Sequence, residues 1–277
     1  MKIVRAYILS FALVLPLVSV FGCSVKETRE ECPKYVNMNF HENEEALTGR
    51  VSVLGWDGEE LFRDDIDASE LDRYWVKAVQ EGLFDLSVCS GLLRSLPSGR
   101  IVSVPSGAQA DSLYAYYTSV DTRNSDVVET VNFHKQFCTV NLDISRSAEE
   151  MLDYRFVVSG NTCGFDLFSF MPVDGEYVYE PEVVPGEEKI AFRILRQVDD
   201  SMSLEIWRRR EVTKGDGEKE YVSLGKFPLG KYIAKTGYSW SGEDLDDVFV
   251  KFGFALEYIQ IGVDGWEEGT VFRFIEQ

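Results

Sequence analysis

Two clusters of aspartate residues are the first groups in this sequence whose types and spacing could hold an ion. Their members are Asp64, Asp65, Asp67, Asp244, Asp246 and Asp247. Carboxylate oxygens suit Ca²⁺, but an EF-hand loop also requires alternating acidic positions, a glycine and a distal glutamate. That pattern is absent, and charged runs usually lie in solvent. We therefore predict solvated acidic loops and no metal site.

The other reactive residue types form no catalytic motif. The two histidines, His41 and His134, stand in no metal-ligand spacing, and we interpret both as ordinary surface or strand residues. The nucleophile-elbow, phosphate-loop and dinucleotide-binding glycine motifs do not occur. The sequence therefore predicts a protein that is not an enzyme, with no catalytic residue and no cofactor.

One cysteine lies at a position where thiol chemistry is expected. Cys23 follows a positive start at Lys2 and Arg5, an apolar run over 6–21 and the small residue Gly22. This order is typical of a secretory signal. The apolar run has 16 residues, fewer than the roughly 20 that span a bilayer. The sequence predicts a cleaved leader over residues 1–22.

The residues around the cleavage point resemble the lipobox of bacterial lipoproteins, with Val20 as the aliphatic residue, Gly22 as the small one and Cys23 after the cut. The resemblance implies that the Cys23 thiol is alkylated with diacylglycerol and that its new amino group takes a fatty acid such as palmitate. Each buried methylene contributes about 0.8 kcal/mol, so several acyl chains hold a protein firmly on a membrane. An ordinary signal peptide with an unmodified Cys23 is the alternative.

The remaining cysteines are Cys32, Cys89, Cys138 and Cys163. Four cysteines in an exported chain allow three disulfide pairings, between which the sequence does not choose. Some of them are alternatively free thiols in a core, because cysteine behaves as a small buried hydrophobe.

Composition and charge limit the partners. The chain has 277 residues, 45% of them hydrophobic, and a net charge of −19 that becomes more negative when the leader is removed. Nucleic acid binding requires clustered lysine and arginine, so we predict no nucleic acid partner. Attachment to a membrane must then depend on the lipid.

Short alternating segments separated by glycine, proline and acidic turns predict strands along most of the chain. The predicted strands are 35–40, 50–54, 60–62, 74–79, 83–89, 99–105, 113–120, 128–133, 137–144, 154–159, 165–170, 177–178, 189–195, 203–208, 221–224, 232–234, 248–254, 258–263 and 271–275. This spacing is typical of a β-sandwich or barrel.

Three local predictions accompany this pattern. We expect 64–72 to be an acidic connector, and 74–79 to form a hairpin with 83–89 through Glu81-Gly82. Ser147, with Glu150 three residues later, is typical of a capping box at the start of one helical turn.

The length favours two domains. We place a tether over 23–34, an N-terminal sandwich over 35–138 and a C-terminal sandwich over 139–277. The weak similarity between Asp57-Gly58-Glu59-Glu60 and the segment 264–268 does not establish an internal repeat.

Taken together, the chain resembles the fimbrillin-A-associated anchor proteins, lipoproteins of Bacteroides-type bacteria related to the anchoring subunit of the minor fimbrium. The resemblance depends on the order of several weak cues: Cys23, Cys32-Pro33, 35–40, 51–53 before Asp57-Gly58, 82–88, 113–117, His134-Lys135-Gln136, Leu245-Asp246-Asp247, 248–254, 258–263 and Trp266. One departure is Trp56, where the family pattern led us to expect a Phe-Asp-type ending.

The resemblance implies an all-β fold of two tandem transthyretin-like β-sandwiches. It also implies a non-enzymatic protein on the outer membrane, exposed at the cell surface at the base of a fimbrium. There it would bind a fimbrial stalk subunit, a fimbrillin, and limit fimbrial length.

Strand physics predicts how that contact is made. An unpaired sheet edge is a template for a strand of another chain. The first strand, 35–40, is joined to Cys23, so we expect it to stay in place. We predict that the last strand is the partner-binding element, with Val271, Phe272, Arg273, Phe274 and Ile275 as its residues. Alternatively, 271–275 is simply the last core strand.

A surface protein that binds glycans or nutrients is the rival function. Exposed aromatic rings such as Trp56, Trp207, Trp240 and Trp266 would then form a sugar platform. The alternative is that these rings belong to the sandwich core.

Overall fold

A computed structural model describes residues 33–41, 44–71, 73–210, 220–253, 258–263 and 270–273. In the first half the strands are β1 (Lys34–Asn39), β2 (Arg50–Trp56), β3 (Glu60–Asp67), β4 (Tyr74–Val79), β5 (Leu83–Leu92), β6 (Ile101–Ser103), β7 (Tyr114–Asp121), β8 (Val127–Thr130) and β9 (His134–Lys135). In the second half they are β10 (Phe137–Asp143), β11 (Tyr154–Asp166), β12 (Met171–Tyr179), β13 (Lys189–Leu195), β14 (Ser203–Arg210), β15 (Glu220–Phe227), β16 (Val248–Gly253), β17 (Tyr258–Val263) and β18 (Thr270–Arg273).

Helices are short and lie between strands. A 3-10 helix (Glu44–Ala46) follows β1, α1 (Ala148–Met151) follows β10, and α2 (Leu229–Ala234) follows β15. None of the helices within the described ranges is long and apolar enough to cross a membrane.

The first region, built from β1 to β9 without β6, consists of two sheets. One has the order β4-β1-β8 and the other β3-β2-β5-β7-β9. Alternation along the strands turns one face of each sheet inward. The residues buried between the sheets include Val36, Met38, Phe40, Val51, Val53, Trp75, Phe84, Leu86, Val88 and Val120.

The second region, built from β10 to β18, also has two sheets. Their orders are β13-β10-β16-β17-β18 and β12-β11-β14-β15. The buried residues between them include Val140, Leu142, Phe156, Val158, Phe192, Ile194, Leu204, Ile206, Val250 and Phe252. β6 pairs antiparallel with the far end of β11, so a strand from the first half of the chain joins this second pair of sheets.

Seven strands repeat in the same order in the two regions. β1, β2, β3, β4, β5, β7 and β8 correspond to β10, β11, β12, β13, β14, β15 and β16. The first strand of each set pairs antiparallel with the fourth and parallel with the last. The second region adds the hairpin β17–β18 beyond that last strand. A third buried cluster, including Leu92, Leu113, Phe165 and Leu195, contains residues of both regions.

The predicted all-β sandwich fold is therefore confirmed. The capping box is also confirmed, because the Glu150 N–H donates to Ser147 Oγ at 3.3 Å and the Ser147 N–H donates to Glu150 Oε2 at 3.2 Å. These two bonds satisfy donors that the start of a helix leaves without partners.

The predicted hairpin of 74–79 with 83–89 is wrong. β4 pairs with β1, whereas β5 lies between β2 and β7 in the opposite sheet. β5 is buried on both faces over most of its length, so it occupies a central position with two neighbours. β4 buries Trp75 and exposes the residues on both sides of it, which suits an edge strand.

Three other local predictions also need correction, one of a connector and two of strands. The acidic stretch up to Asp67 is part of β3, and the predicted strand 165–170 is mostly the turn after β11. The predicted strand 232–234 is the end of α2. Leu229 and Ile233 are four residues apart, so a helix places both on one buried face, and Pro228 stands at its start.

Candidate functional site at the open edge of the second region

The predicted partner-binding strand lies at the edge of a five-stranded sheet. β18 pairs with β17 in the register Tyr258 with Arg273 through Ile261 with Thr270, and has no strand on its other side among the described residues. Val271 is 58% exposed. The backbone of Phe272 and Arg273 belongs to the strand, whereas Phe274 and Ile275 lie outside the described residues.

The first strand has the opposite environment. β1 lies in the centre of its sheet, between β4 and β8, and its residues Val36 and Met38 are fully buried. Asp126 Oδ1 accepts a hydrogen bond from the Tyr35 N–H at 2.9 Å. β1 therefore completes the core of the first region, while Cys23 and Cys32 lie outside the described residues.

A polar junction connects the loop before β16 to the start of the second region. The Lys135 N–H donates to Asp244 Oδ1 at 2.6 Å. Asp247 Oδ1 accepts from Lys135 Nζ at 2.7 Å and from the Thr139 N–H at 2.8 Å. These bonds fix the loop against β9 and β10.

Arg196 holds the same loop from the other side and is only 7% exposed. Its Nε donates to Gln136 Oε1 at 2.8 Å, its Nη2 to the Glu243 carbonyl at 3.1 Å, and its Nη1 to the Trp240 carbonyl. Burial lowers the pKa of this guanidinium from its ordinary value. Three oxygens around a buried cation reduce the cost of removing it from water.

The aspartates of the first cluster point to different partners. Asp64 accepts hydrogen bonds from Trp75 Nε1 at 3.0 Å and from Lys77 Nζ at 2.7 Å. Asp65 accepts one from Ser52 Oγ at 2.5 Å, and Asp67 accepts one from the Ser69 N–H. Within the part of the chain that the structure describes, no group of three or more His, Cys, Asp or Glu residues is placed to hold a metal ion.

The histidines lie near aromatic rings. His134 Nδ1 is 3.5 Å from Asp244 Oδ2, and its ring meets that of Phe170 edge-on. His41 meets the ring of Tyr74 in the same way.

The three described cysteines are free thiols, not members of disulfides. Cys89 and Cys138 are fully buried, and burial raises the pKa of each to about 12. Cys163 is half-buried, with its Sγ 3.6 Å from the Asp174 carbonyl. The interpretation of these residues as core thiols therefore holds for Cys89 and Cys138.

Two of the described tryptophans invoked for a sugar platform pack against different buried clusters. Trp56 packs against the cluster shared by both regions, and Trp240 against the core of the second region. Trp207 is half-buried on β14, and Trp266 lies outside the described residues. The described rings therefore belong mainly to packing.

Sequence analysis missed the segment 104–110, which lies against two edges of the second region. The Gly107 N–H donates to the Val178 carbonyl of β12 at 3.2 Å, and the Ala110 N–H donates to the Arg193 carbonyl of β13 at 3.1 Å. The Arg193 N–H in turn donates to Gln109 Oε1 at 3.1 Å. The predicted strand 99–105 ends earlier, at Ser103, and the stretch 106–110 has no alternating pattern, so the sequence carried no signal for this contact.

Comparison with known proteins gives relatives by structure but none by sequence. No protein-family model and no curated protein matches this chain. Among solved structures, a candidate polysaccharide-binding protein from Bacteroides thetaiotaomicron has a TM-score of 0.59 at 16% identity, over 89% of this chain and 99% of that one. A candidate adhesin from the same organism has a TM-score of 0.54 at 14% identity, over 84% and 97%.

The fimbrial anchor protein Mfa2 from Porphyromonas gingivalis has a TM-score of 0.51 at 14% identity, over 85% of this chain and 98% of that one. These relatives are described as binding, adhesion or fimbrial proteins and not as enzymes. The resemblance to the fimbrial anchor proteins is therefore confirmed at the level of fold, and this chain has the fold shared by a fimbrial anchor protein and by candidate adhesins of Bacteroides.

Proposed function

We propose that this protein is an outer-membrane lipoprotein that anchors or nucleates a fimbrium at the cell surface and binds the fimbrial stalk subunit through β18. The single observation that carries the proposal is the open outer edge of β18, with Val271 exposed on it. The fold shared with a fimbrial anchor protein supports the same role.

Strand addition is the mechanism that an open edge favours. The outward N–H and C=O groups of β18 can form a ladder with a strand of the stalk subunit, and alternate side chains of that strand then contact the sheet face beside Val271. Backbone bonds supply affinity, and side-chain contacts supply specificity.

Retention of β1 suits an anchor. Removal of β1 would expose the buried side chains of Val36 and Met38 and leave β4 and β8 without their common neighbour. A cut before β1 would also separate the folded part from Cys23. The anchor therefore keeps its own first strand and offers a different edge to the stalk.

Membrane attachment depends on Cys23 in this proposal. Replacement by Cys23→Ala removes the thiol that takes diacylglycerol, and Cys32→Ala is a matched control nine residues later. We expect the first variant to lose acyl mass and its place in the outer-membrane fraction, and the control to keep both. Mass spectrometry of the purified N-terminal peptide measures this directly. A wild-type N-terminus without acyl chains refutes lipid anchoring.

The contact with the stalk is tested on β18. We expect deletion of residues 270–277, or the single change Val271→Lys, to release fimbriae from cells into the medium. Val222→Lys is the matched control, because Val222 is 44% exposed on β15, another edge strand of the same region. Circular dichroism and thermal unfolding establish that each variant is folded. Normal retention of fimbriae by a folded truncation contradicts the role of β18.

Glycan binding is the second candidate, because one protein of this fold is described as a candidate polysaccharide-binding protein. Among the described tryptophans, Trp56 and Trp240 pack against buried clusters and do not form an exposed platform. A glycan array with the purified protein separates the two functions: saturable binding of one polysaccharide, together with normal fimbriae in the β18 variants, favours this alternative.

A further inference from the structure

An open apolar groove lies on the side of the first region where β3 faces β4. Leu61 and Phe62 of β3, Val79 of β4 and Phe84 of β5 line it, and Lys77 stands at its wall. The cavity volume is about 330 Å³. Leu61 is 49% exposed, which leaves apolar surface available to a ligand.

Both strands beside the groove are sheet edges. β3 has β2 as its strand neighbour and β4 has β1, and neither has a second one among the described residues. Backbone N–H and C=O groups of an unpaired edge form a template for another strand. A ligand that forms hydrogen bonds with these N–H and C=O groups must present its own backbone groups at the spacing of a strand. An extended peptide meets this requirement.

Side chains hold the two edges at a fixed separation beside the groove. Asp64 of β3 accepts hydrogen bonds from Trp75 Nε1 and Lys77 Nζ of β4, at 3.0 and 2.7 Å. The ring of Phe62 stacks on Trp75 with centroids 6.1 Å apart, and Lys77 Nζ lies 5.1 Å above Phe62. The groove is therefore built into the packed core and requires no rearrangement to exist.

The corresponding place in the second region is already occupied by peptide. β12 and β13 correspond to β3 and β4, and the segment 104–110 donates from Gly107 to β12 and from Ala110 to β13. The second region thus shows that a peptide fits between these two edges of the repeated sandwich. In the first region the described residues supply no equivalent segment.

Charge at the mouth of the groove specifies the ligand further. Leu61 and Gln80 both line the groove, and their sequence neighbours Glu60 and Glu81 are exposed. Glu60 Oε2 already accepts a hydrogen bond from Arg63 Nη2 at 2.9 Å, and Lys77 of the wall is paired with Asp64, so Glu81 and the exposed Glu59 supply the negative charge near the groove. Carboxylates at the mouth attract a cationic side chain. A second copy of this chain, with a net charge of −19, is repelled as a partner.

We propose that this groove binds an extended peptide segment of a partner protein, with alternate apolar side chains on Phe62 and Phe84 and a lysine or arginine against Glu81. The protein then has two peptide-binding edges, one on each region. This proposal does not depend on the role of β18, since it concerns another region and is tested with purified protein.

A pair of synthetic peptides tests the proposal on the full-length protein. Both are fluorescein-labelled and alternate valine with threonine, and they differ only in a terminal lysine or glutamate. Fluorescence anisotropy measures their binding. We expect the lysine peptide to bind more tightly, and Leu61→Gln to weaken it about fivefold, because the variant loses part of the apolar contact. Leu93→Gln is the control, since Leu93 is 72% exposed and lies outside the groove.

Hydrogen exchange locates the bound peptide. Protection of amides in β3 and β4 supports the proposal. Failure of both peptides to bind, equal weakening by Leu61→Gln and Leu93→Gln, or protection confined to other strands overturns it. Self-association of the protein also overturns the proposal if Leu61→Gln abolishes it and the lysine peptide does not compete with it. The occupant of the groove is then a second copy of this chain.

Discussion

The first and second regions are built from the same seven strands but expose different edges. In the second region the segment 104–110 bonds to β12 and β13, and the hairpin β17–β18 extends the sheet beyond the last strand of the repeat. In the first region the described residues place no such segment beside β3 and β4, where the groove lies, and the smaller sheet ends at β8. The repeated core is therefore constant, and the differences concentrate at the edges of the sheets.

The two first strands also differ in how they enter their sheets. β1 begins at Lys34, next to the first described residue, whereas β10 follows β9 after the single residue Gln136. The junction of Lys135, Arg196 and Asp247 then fixes the entry of β10. Hydrogen bonds thus hold the start of β10 in place, and substitutions in the junction can test this.

The largest loss of stability is expected when a buried side chain on the first strand of either region is shortened. Met38 of β1 and Leu142 of β10 occupy corresponding positions and are both fully buried. We expect Met38→Ala and Leu142→Ala each to lower the free energy of unfolding by about 2–5 kcal/mol, because each leaves a cavity. Urea unfolding measures the total, and hydrogen exchange assigns it to a region.

Val128→Ala is the control for that pair, because Val128 is strongly exposed on β8. It should change the free energy of unfolding by less than about 0.5 kcal/mol. If only one of the buried substitutions destabilises the protein, the two first strands do not have the same structural role and the correspondence fails.

The junction gives the next largest effect. Asp247→Ala removes the acceptor of Lys135 Nζ and of the Thr139 N–H. We expect a loss of about 1–3 kcal/mol, because a backbone donor near the start of β10 loses its partner. The neighbouring change Asp246→Ala leaves both bonds intact and serves as the control. Thermal unfolding compares them, and equal stability of the two variants shows that the junction does not hold β10.

The alternation of hydrophobic residues in the sequence predicted most of the strands. β13 and β17 have the predicted bounds, since each is a short run with clear turn residues around it. The pairing of strands could not be predicted in the same way, because it depends on which sheet each strand joins. β4 and β5 are neighbours in sequence and lie in opposite sheets, and only the double-faced burial of β5 distinguishes the two arrangements.

The sites were less predictable than the strands. The predicted strand 271–275 overlaps the edge strand β18, but the groove between β3 and β4 depends on contacts such as Asp64 with Lys77, which are distant in sequence. The repeat was equally hidden, because its seven pairs of strands share topology and hydrophobicity but no recurring motif. The one similarity noticed, between Asp57-Gly58 and 264–268, involves residues partly outside the described part of the chain.

A smaller effect distinguishes the connections after the first strands. α1 has a capping box at Ser147, whereas the first region has the 3-10 helix Glu44–Ala46 at the corresponding place. We expect Ser147→Ala to cost about 1 kcal/mol, because the Glu150 N–H loses its acceptor. Ser125→Ala, in an exposed loop, is the control. A matched loss in both variants in urea unfolding contradicts a role for the cap.

The smallest perturbation labels two buried thiols and leaves stability unchanged. Cys89 belongs to the cluster that both regions share, and Cys138 belongs to the core of the second region. Burial raises the pKa of Cys89 in β5 and of Cys138 in β10 to about 12, so at pH 8 both remain protonated. Since the thiolate is the nucleophile, we expect iodoacetamide to modify Cys163 in the folded protein and to spare the other two. Peptide mass spectrometry measures each site, with urea-unfolded protein as the positive control.

Labelling of Cys89 or Cys138 as fast as Cys163 would contradict this expectation. A slower, unequal labelling is more informative, because an alkylating agent reaches a buried thiol only when its region opens. If Cys89 reacts before Cys138, β5 and the cluster shared by both regions open more readily than the core of the second region. If Cys138 reacts first, the segment 104–110 and the junction do not protect the second region, and the difference between the two sandwiches lies in their exposed edges alone.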